Sequence, residues 1–197
     1  MNATIKQGDF TQLASDYSSC RPDYSQNVLQ VLLRHTGAAD VADVGAGTGI
    51  WSRMLSQAGL KTVAVEPCEN MRAEGIRFTA DYDIDWHAGW AEATCLPDAS
   101  VDWVTMASSF HWTDTPVALA EFHRILKPDG HLTVLWNPRN IDGNELHEKI
   151  EQGIHDLLPN LKRVSSGRAR NSRDWTDDLQ STGQFTGCIF MEARHEI

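Results

Sequence analysis

No part of this 197-residue chain carries the run of about 18 apolar residues that a membrane-spanning helix needs. Basic residues are few: 17 lysines and arginines stand against 27 aspartates and glutamates, a net charge of −10. Neutralising phosphate takes basic patches, so this balance argues against a nucleic-acid or anionic-membrane partner. The one basic cluster, Lys162, Arg163, Arg168, Arg170 and Arg173, lies in a Ser/Gly-rich stretch and reads as a solvated loop. Cysteine is scarce too. Cys20, Cys68, Cys95 and Cys188 are far apart with no C-x-x-C, the pattern of reduced thiols rather than of a disulfide framework. The eight histidines form no H-E-x-x-H and no paired zinc ligands are visible, so no metal chemistry is expected. Met1 to Phe10 has no apolar run of the signal-peptide kind. A cytoplasmic location is the expectation.

Hydrophobic residues make up 41% of the chain, enough for a packed core in one domain of ordinary size. Short apolar runs alternate with longer amphipathic ones. The spacing predicts strands over 40–44, 61–65, 84–88, 101–106 and 131–136, with helices over 24–35, 48–58, 69–78 and 115–126. Pro97-Asp98-Ala99-Ser100 and Pro128-Asp129-Gly130 read as turns. Strand and helix in this rhythm predict an α/β doubly wound domain, a mostly parallel sheet with right-handed crossovers and helices on both faces. A polar helix over 143–158 and the basic loop follow. Residues 187–193 form a strand-like piece near the end of the chain, and the C-terminal part of the sheet is expected to be incomplete, with an open edge. Trp51 and Trp103 fit helix and strand periodicity and are expected in the core.

The most informative stretch is Val41-Ala-Asp-Val-Gly-Ala-Gly-Thr-Gly49, passing from strand into helix. Gly45, Gly47 and Gly49 permit a sharp turn and close approach of a ligand to the backbone, where amides of the helix N-terminus are exposed. Glu66 ends the second strand, and a carboxylate there can accept both hydroxyls of a ribose. The pattern is G-x-G-x-G. The third glycine of the dinucleotide fingerprint would fall at Ile50, and no G-x-x-x-x-G-K-[ST] is present.

Asp43-Val-Gly-Ala-Gly-Thr-Gly49 with Val65-Glu66-Pro67 resembles the first two motifs of class I S-adenosylmethionine-dependent methyltransferases. Gly89-Trp-Ala-Glu92 and Leu96-Pro-Asp-Ala-Ser-Val-Asp102 resemble the third. Ser109-Phe-His-Trp112 and Phe122-His-Arg-Ile-Leu-Lys-Pro-Asp-Gly130 are similar to the segments around strands four and five, and Tyr17-Ser-Ser-Cys-Arg-Pro-Asp-Tyr24 to the family's N-terminal lid. The resemblance covers roughly residues 10–140. It is nearest to small-molecule enzymes of the type 11 group, including trans-aconitate methyltransferase-like proteins. One departure is Trp90, where many relatives carry an aspartate for the adenine amino group; Trp90 could instead stack on the ring.

The resemblance implies S-adenosylmethionine as cofactor, leaving as S-adenosylhomocysteine. It implies one domain over 1–197: a lid and helix over 1–38, a cofactor-binding core over 39–137, and a substrate-side helix with an incomplete end over 138–197. Gly45, Ala46, Gly47, Glu66 and Pro67 would hold the cofactor's amino-acid and ribose parts. Asp43 would orient the glycine loop or meet the ligand's ammonium through water. Met71, Ala91 and Glu92 would lie against adenine. Ser108 would sit at the carboxyl edge of the sheet. Tyr17 would either close over the sulfonium or anchor the N-terminal helix.

Methyl transfer from a sulfonium needs mainly proximity and orientation, and an unionised acceptor also needs a base. His111 is the candidate base; its plainer role is to shape the pocket floor. Arg21, Phe110, Trp112 and Arg139 are the candidate substrate contacts. A solvated arginine before Pro22 is the commoner case for Arg21, the same choice applies to Arg139, and Phe110 and Trp112 are either pocket wall or core. The expected partner is a small molecule, in a monomer or homodimer. A nicotinamide-dependent oxidoreductase is the second enzyme class. A non-catalytic or partner-dependent module that retains the fold is the third reading.

Overall fold

Val41, Ala42 and Val44 are apolar on both faces of a single short segment, which suits a strand covered on both sides. In the computed structural model, which describes residues 20–138, 144–160 and 174–193, that segment lies at the centre of the sheet. The order of elements is α1 (Gln26–Thr36), β1 (Asp40–Val44), α2 (Ile50–Gln57), β2 (Lys61–Val65), α3 (Glu69–Phe78) and β3 (Ile84–His87). β4 (Val101–Ala107), a 3-10 turn (Phe110–Trp112), α4 (Thr115–Ile125) and β5 (Leu126–Leu135) complete the sheet. Five strands pair in the order β3-β2-β1-β4-β5, all parallel. The expected α/β doubly wound architecture is present.

The strand order reverses between β1 and β4. In open parallel sheets the crevice outside the carboxyl ends at such a point is where ligands bind. At the opposite, amino end the same two strands are tied down by charge. The Lys127 ammonium donates to Asp40 at 2.7 Å and to Asp102 at 2.9 Å. Asp102 also accepts from the amides of Asp40 and Ala39, and these contacts hold its carboxyl below the usual range.

Trp51 and Trp103 are fully buried, as expected, in a core with Leu29, Val41, Met54 and Leu55. α1 begins at Gln26, two residues later than the periodicity predicts, because the Ser25 side chain accepts from the Val28 amide as its cap. The turn expected at Pro128-Asp129-Gly130 falls inside β5. Val101 pairs with Leu126 but Trp103 with His131, so the extra residues form a bulge, with Asp129 at φ +62°.

The strand-like piece over 187–193 does not join the sheet. Ile189 and Phe190 are 71% and 74% exposed. Apolar, strand-forming composition supplies propensity but no partner, and a strand exists only through its ladder. The described residues up to Leu135, with those from Thr176 onward, form one unit, and Trp136–Trp175 form another. The second unit contains α5 (Glu145–Leu157), capped by Asn144, and Trp136 stacked on Trp175 at 5.3 Å. α6 (Thr176–Gln180) belongs to the first. No helix among the described residues is long and apolar enough to cross a membrane.

Candidate functional site

The glycine loop leaves β1 at Gly45, whose amide donates to Val65 O at 2.8 Å, with Ala46 N donating to the same carbonyl at 3.1 Å. Gly45 has φ +69°, and a Cβ there would lie 2.7 Å from Ser109 Oγ. Ser109 follows β4 and donates to Val44 O at 3.2 Å, so the close approach of β1 and β4 requires this glycine. Gly47 differs. It has φ +59°, and a Cβ would meet only the Met71 Cε within 4 Å, at 3.5 Å. Gly47 therefore faces a cradle, and Met71, buried, forms its wall.

Glu66 binds the loop directly. Its Oε2 accepts from the Gly47 amide at 2.8 Å and its Oε1 from Cys68 N at 2.9 Å. It is 7% exposed, and burial raises its carboxyl above the ordinary range. Each carboxylate oxygen has a second lone pair, so two bound amides leave acceptor capacity for a ligand. Pro67, half-buried, carries the chain from Glu66 into α3.

Asp43 faces inward. It is fully buried, and accepts from Ser52 Oγ at 2.6 Å and Thr105 Oγ1 at 3.2 Å. With no exposed surface, it ties β1 to α2 and β4, an arrangement that suits the orienting role of the two expected of it. Burial drives its pKa up to about 7. Thr48, 1% exposed within the same loop, has an Oγ1 without a hydrogen-bonding partner.

The loop after β3 folds back through paired hydrogen bonds between Trp90 and Ala93, at 3.0 and 3.1 Å. Ala91 is buried inside it, while Trp90 is 63% exposed. Glu92 accepts from the Asp114 amide at 2.7 Å, which joins this loop to the start of α4. Behind it, Glu121 on α4 accepts from Thr94 N at 2.7 Å and from Thr94 Oγ1, and pairs with Arg124. The Arg124 guanidinium pulls the Glu121 carboxyl down to about 2. A depressed carboxyl stabilises the fold above its unfolded pKa of 4.5, and that gain is lost as pH falls toward 2. Glu121→Gln is expected to cost about 1–2 kcal/mol at pH 7, with Arg124 partly in solvent. Thermal unfolding should show that deficit shrinking between pH 5 and pH 2; a constant deficit would refute the assignment.

At the end of β4, Ser108 adopts a left-handed backbone, φ +59°, rare for a residue with a Cβ. Its Oγ accepts from Arg21 Nη2 at 3.1 Å and lies 2.9 Å from the Tyr24 hydroxyl. His111 and Trp112 follow on the 3-10 turn, exposed, with ring centres 4.6 Å apart. Partial desolvation of the ring by its neighbours, and then the Arg21 charge, hold the His111 imidazole below the usual histidine range. Phe110, the first residue of the same turn, is completely buried, which agrees with the core placement of its two expected roles. Tyr17 and Arg139 lie outside the described residues.

The fold thus brings Gly45, Ala46, Gly47, Glu66 and Met71 together at the carboxyl edge, and sets Arg21, Ser108 and His111 together beyond β4. Ser109, Thr48, Tyr24 and Glu121 escaped the sequence reading. Only the serine pair after strand four was a visible signal, since the partners of the others are remote along the chain.

Residues 42–134 match the family described as a methyltransferase domain. An uncharacterized methyltransferase of Mycobacterium tuberculosis is 36% identical over 131 residues, which cover 66% of this chain and 53% of that protein. An uncharacterized methyltransferase-like protein of Schizosaccharomyces pombe is 33% identical over 206 residues, covering 93% of this chain and 73% of that one. Among solved structures, a candidate type II methyltransferase from Anaeromyxobacter dehalogenans superimposes with a TM-score of 0.62 at 26% identity, covering 78% of this chain and 67% of the other. The chain spans about half the length of the mycobacterial relative it matches.

Proposed function

We propose a function from one premise: this chain belongs to the methyltransferase family. The reading is an S-adenosylmethionine-dependent methyltransferase acting on a small-molecule acceptor. The observation that carries it is the cradle at Gly47, open above the backbone and flanked by a half-satisfied carboxylate at Glu66. The donors present suit that cofactor. Glu66 would accept from the ribose hydroxyls, the Gly45–Gly47 backbone would lie under the amino-acid part, and Met71 with Ala91 would pack on the adenine. The unpartnered Thr48 hydroxyl supplies one further polar group in the loop. When bound, the cofactor supplies a methyl group already activated by its sulfonium.

The chain's own residues then orient the acceptor and manage its proton. His111 would hold the basic position, since an imidazole kept neutral by partial desolvation and by the Arg21 charge can accept a proton at neutral pH. Arg21 would present its planar fork to an anionic part of the acceptor. Trp112, 46% exposed, would form the apolar wall. The net charge of −10 supports a small molecule over a nucleic acid. The Phe-His-Trp element supports a place in the trans-aconitate methyltransferase-like subgroup.

Titration calorimetry with S-adenosylmethionine, S-adenosylhomocysteine and NADH tests the reading. Binding of the first two in the micromolar range, with none of the third, is the expected result. A folded protein that binds none of them would sink the catalytic reading and favour a module that keeps only the fold.

A further inference from the structure

Tyr24 has no role in the site as built so far, yet it sits at a junction. Its ring is 7% exposed and meets Trp51 of α2 edge-on, with centroids 5.3 Å apart. Its hydroxyl lies 2.9 Å from Ser108 Oγ, the same oxygen that accepts from Arg21 at 3.1 Å. Asp23, between them, pairs with Arg53 of α2. The segment leading into α1 is therefore fastened to α2 and to the end of β4. Ser108 holds a left-handed backbone at this point, a conformation disfavoured in a residue with a Cβ. Its amide is anchored on Leu135 O at 2.8 Å, so the conformation is imposed from both sides. A serine hydroxyl can accept one hydrogen bond and still exchange a proton with a second hydroxyl. One oxygen therefore serves Arg21 and Tyr24 together.

We propose that Tyr24 and Ser108 are positioning residues: their hydroxyl pair pins the Arg21 guanidinium at the carboxyl end of β4 and so sets the charge that His111 experiences. His111 lies three residues after Ser108 on the turn that follows β4, and the Arg21 charge held at Ser108 acts on it. Trp112 packs on the imidazole from the same turn. Asp114, three residues on, begins α4, and Glu92 binds its amide. The consequence for catalysis rests on the proposed transfer reaction, but the arrangement itself belongs to the protein without cofactor.

The test is an NMR titration of His111 in cofactor-free protein, its signal identified by its loss in His111→Asn. Tyr24→Phe keeps the ring on Trp51 and removes one oxygen, so the core stays packed. Tyr24→Phe and Ser108→Ala should each shift the His111 midpoint upward, toward an ordinary histidine, as Arg21 moves away. Arg21→Gln should shift it at least as far. Adding Tyr24→Phe to Arg21→Gln should produce no further shift, since the tyrosine acts only through the arginine. Ser108→Gly, which tolerates the left-handed backbone but lacks the hydroxyl, should behave like Ser108→Ala.

Movement in Arg21→Gln alone would overturn the positioning role. So would a Ser108→Gly protein that titrates like the parent, because the backbone conformation that glycine keeps, and not the hydroxyl, would then set the arginine. Failure to bind S-adenosylmethionine would instead strike the proposed function and leave these shifts as they are. If turnover is established, the acid limb of kcat/KM should follow the same upward order across the variants.

Discussion

Gly47→Asp should abolish cofactor binding in a protein that still folds. The left-handed φ of +59° costs a side chain about 1–2 kcal/mol. Beyond that the new Cβ meets only the flexible end of Met71, at 3.5 Å, so nothing in the core must move. The rest of the aspartate then occupies the cradle and adds a negative charge beside Glu66. Affinity for S-adenosylmethionine should fall by more than a hundredfold, about 2.7 kcal/mol, in calorimetry on protein that still unfolds cooperatively with a melting temperature lowered by only a few degrees.

Gly45→Ala makes the contrast. Its Cβ would overlap Ser109 Oγ at 2.7 Å, so this smaller substitution should destabilise the fold itself. Glu66→Ala should also abolish binding. Because it leaves the amides of Gly47 and Cys68 without their acceptor, it should cost about 1–3 kcal/mol of stability as well. Parental affinity in both Gly47→Asp and Glu66→Ala would remove the site from this loop.

The second large effect is a pH dependence of stability written into Asp43. Its carboxyl is ordinary in the unfolded chain, near 3.8, and is pushed to about 7 by burial in the fold. A group raised in this way contributes fully below the unfolded value, and the contribution is lost as pH rises through the folded value. A separation of roughly 3 pH units corresponds to about 4 kcal/mol. Asp43→Asn keeps an acceptor for Ser52 or Thr105 and does not titrate. Relative to the parent, the variant should therefore gain stability steadily from pH 4 to pH 7 and level off above that. Denaturant unfolding of the pair across this range would show the trend. A constant difference would mean that Asp43 stays ionised throughout, held by its two hydroxyl donors.

The loop from Asp43 to Gly49 was legible because strand, glycines and helix follow each other directly along the chain, and Glu66 because a carboxylate at a strand end has few other uses. The burial of Phe110 was left open because the sequence Phe-His-Trp does not say which ring a 3-10 turn directs inward. The piece over 187–193 was misread because apolar alternation predicts a strand whether or not an edge is within reach. Tyr24 was taken as the first residue of a helix, and nothing local marks it as the partner of a serine 84 residues away.

The sequence by itself determined the parallel α/β sheet, the glycine loop at its switch point and the carboxylate that faces it. Each depends on periodicity or on turn chemistry, which act over a few residues. Only the tertiary structure decided that Gly45 is demanded by Ser109, that Asp43 is buried against Ser52 and Thr105, and that Arg21 is hydrogen-bonded to Ser108 at the end of β4. Those relations arise where separate strands end side by side. Their strength comes from burial and shared hydrogen bonds, which a linear pattern does not encode.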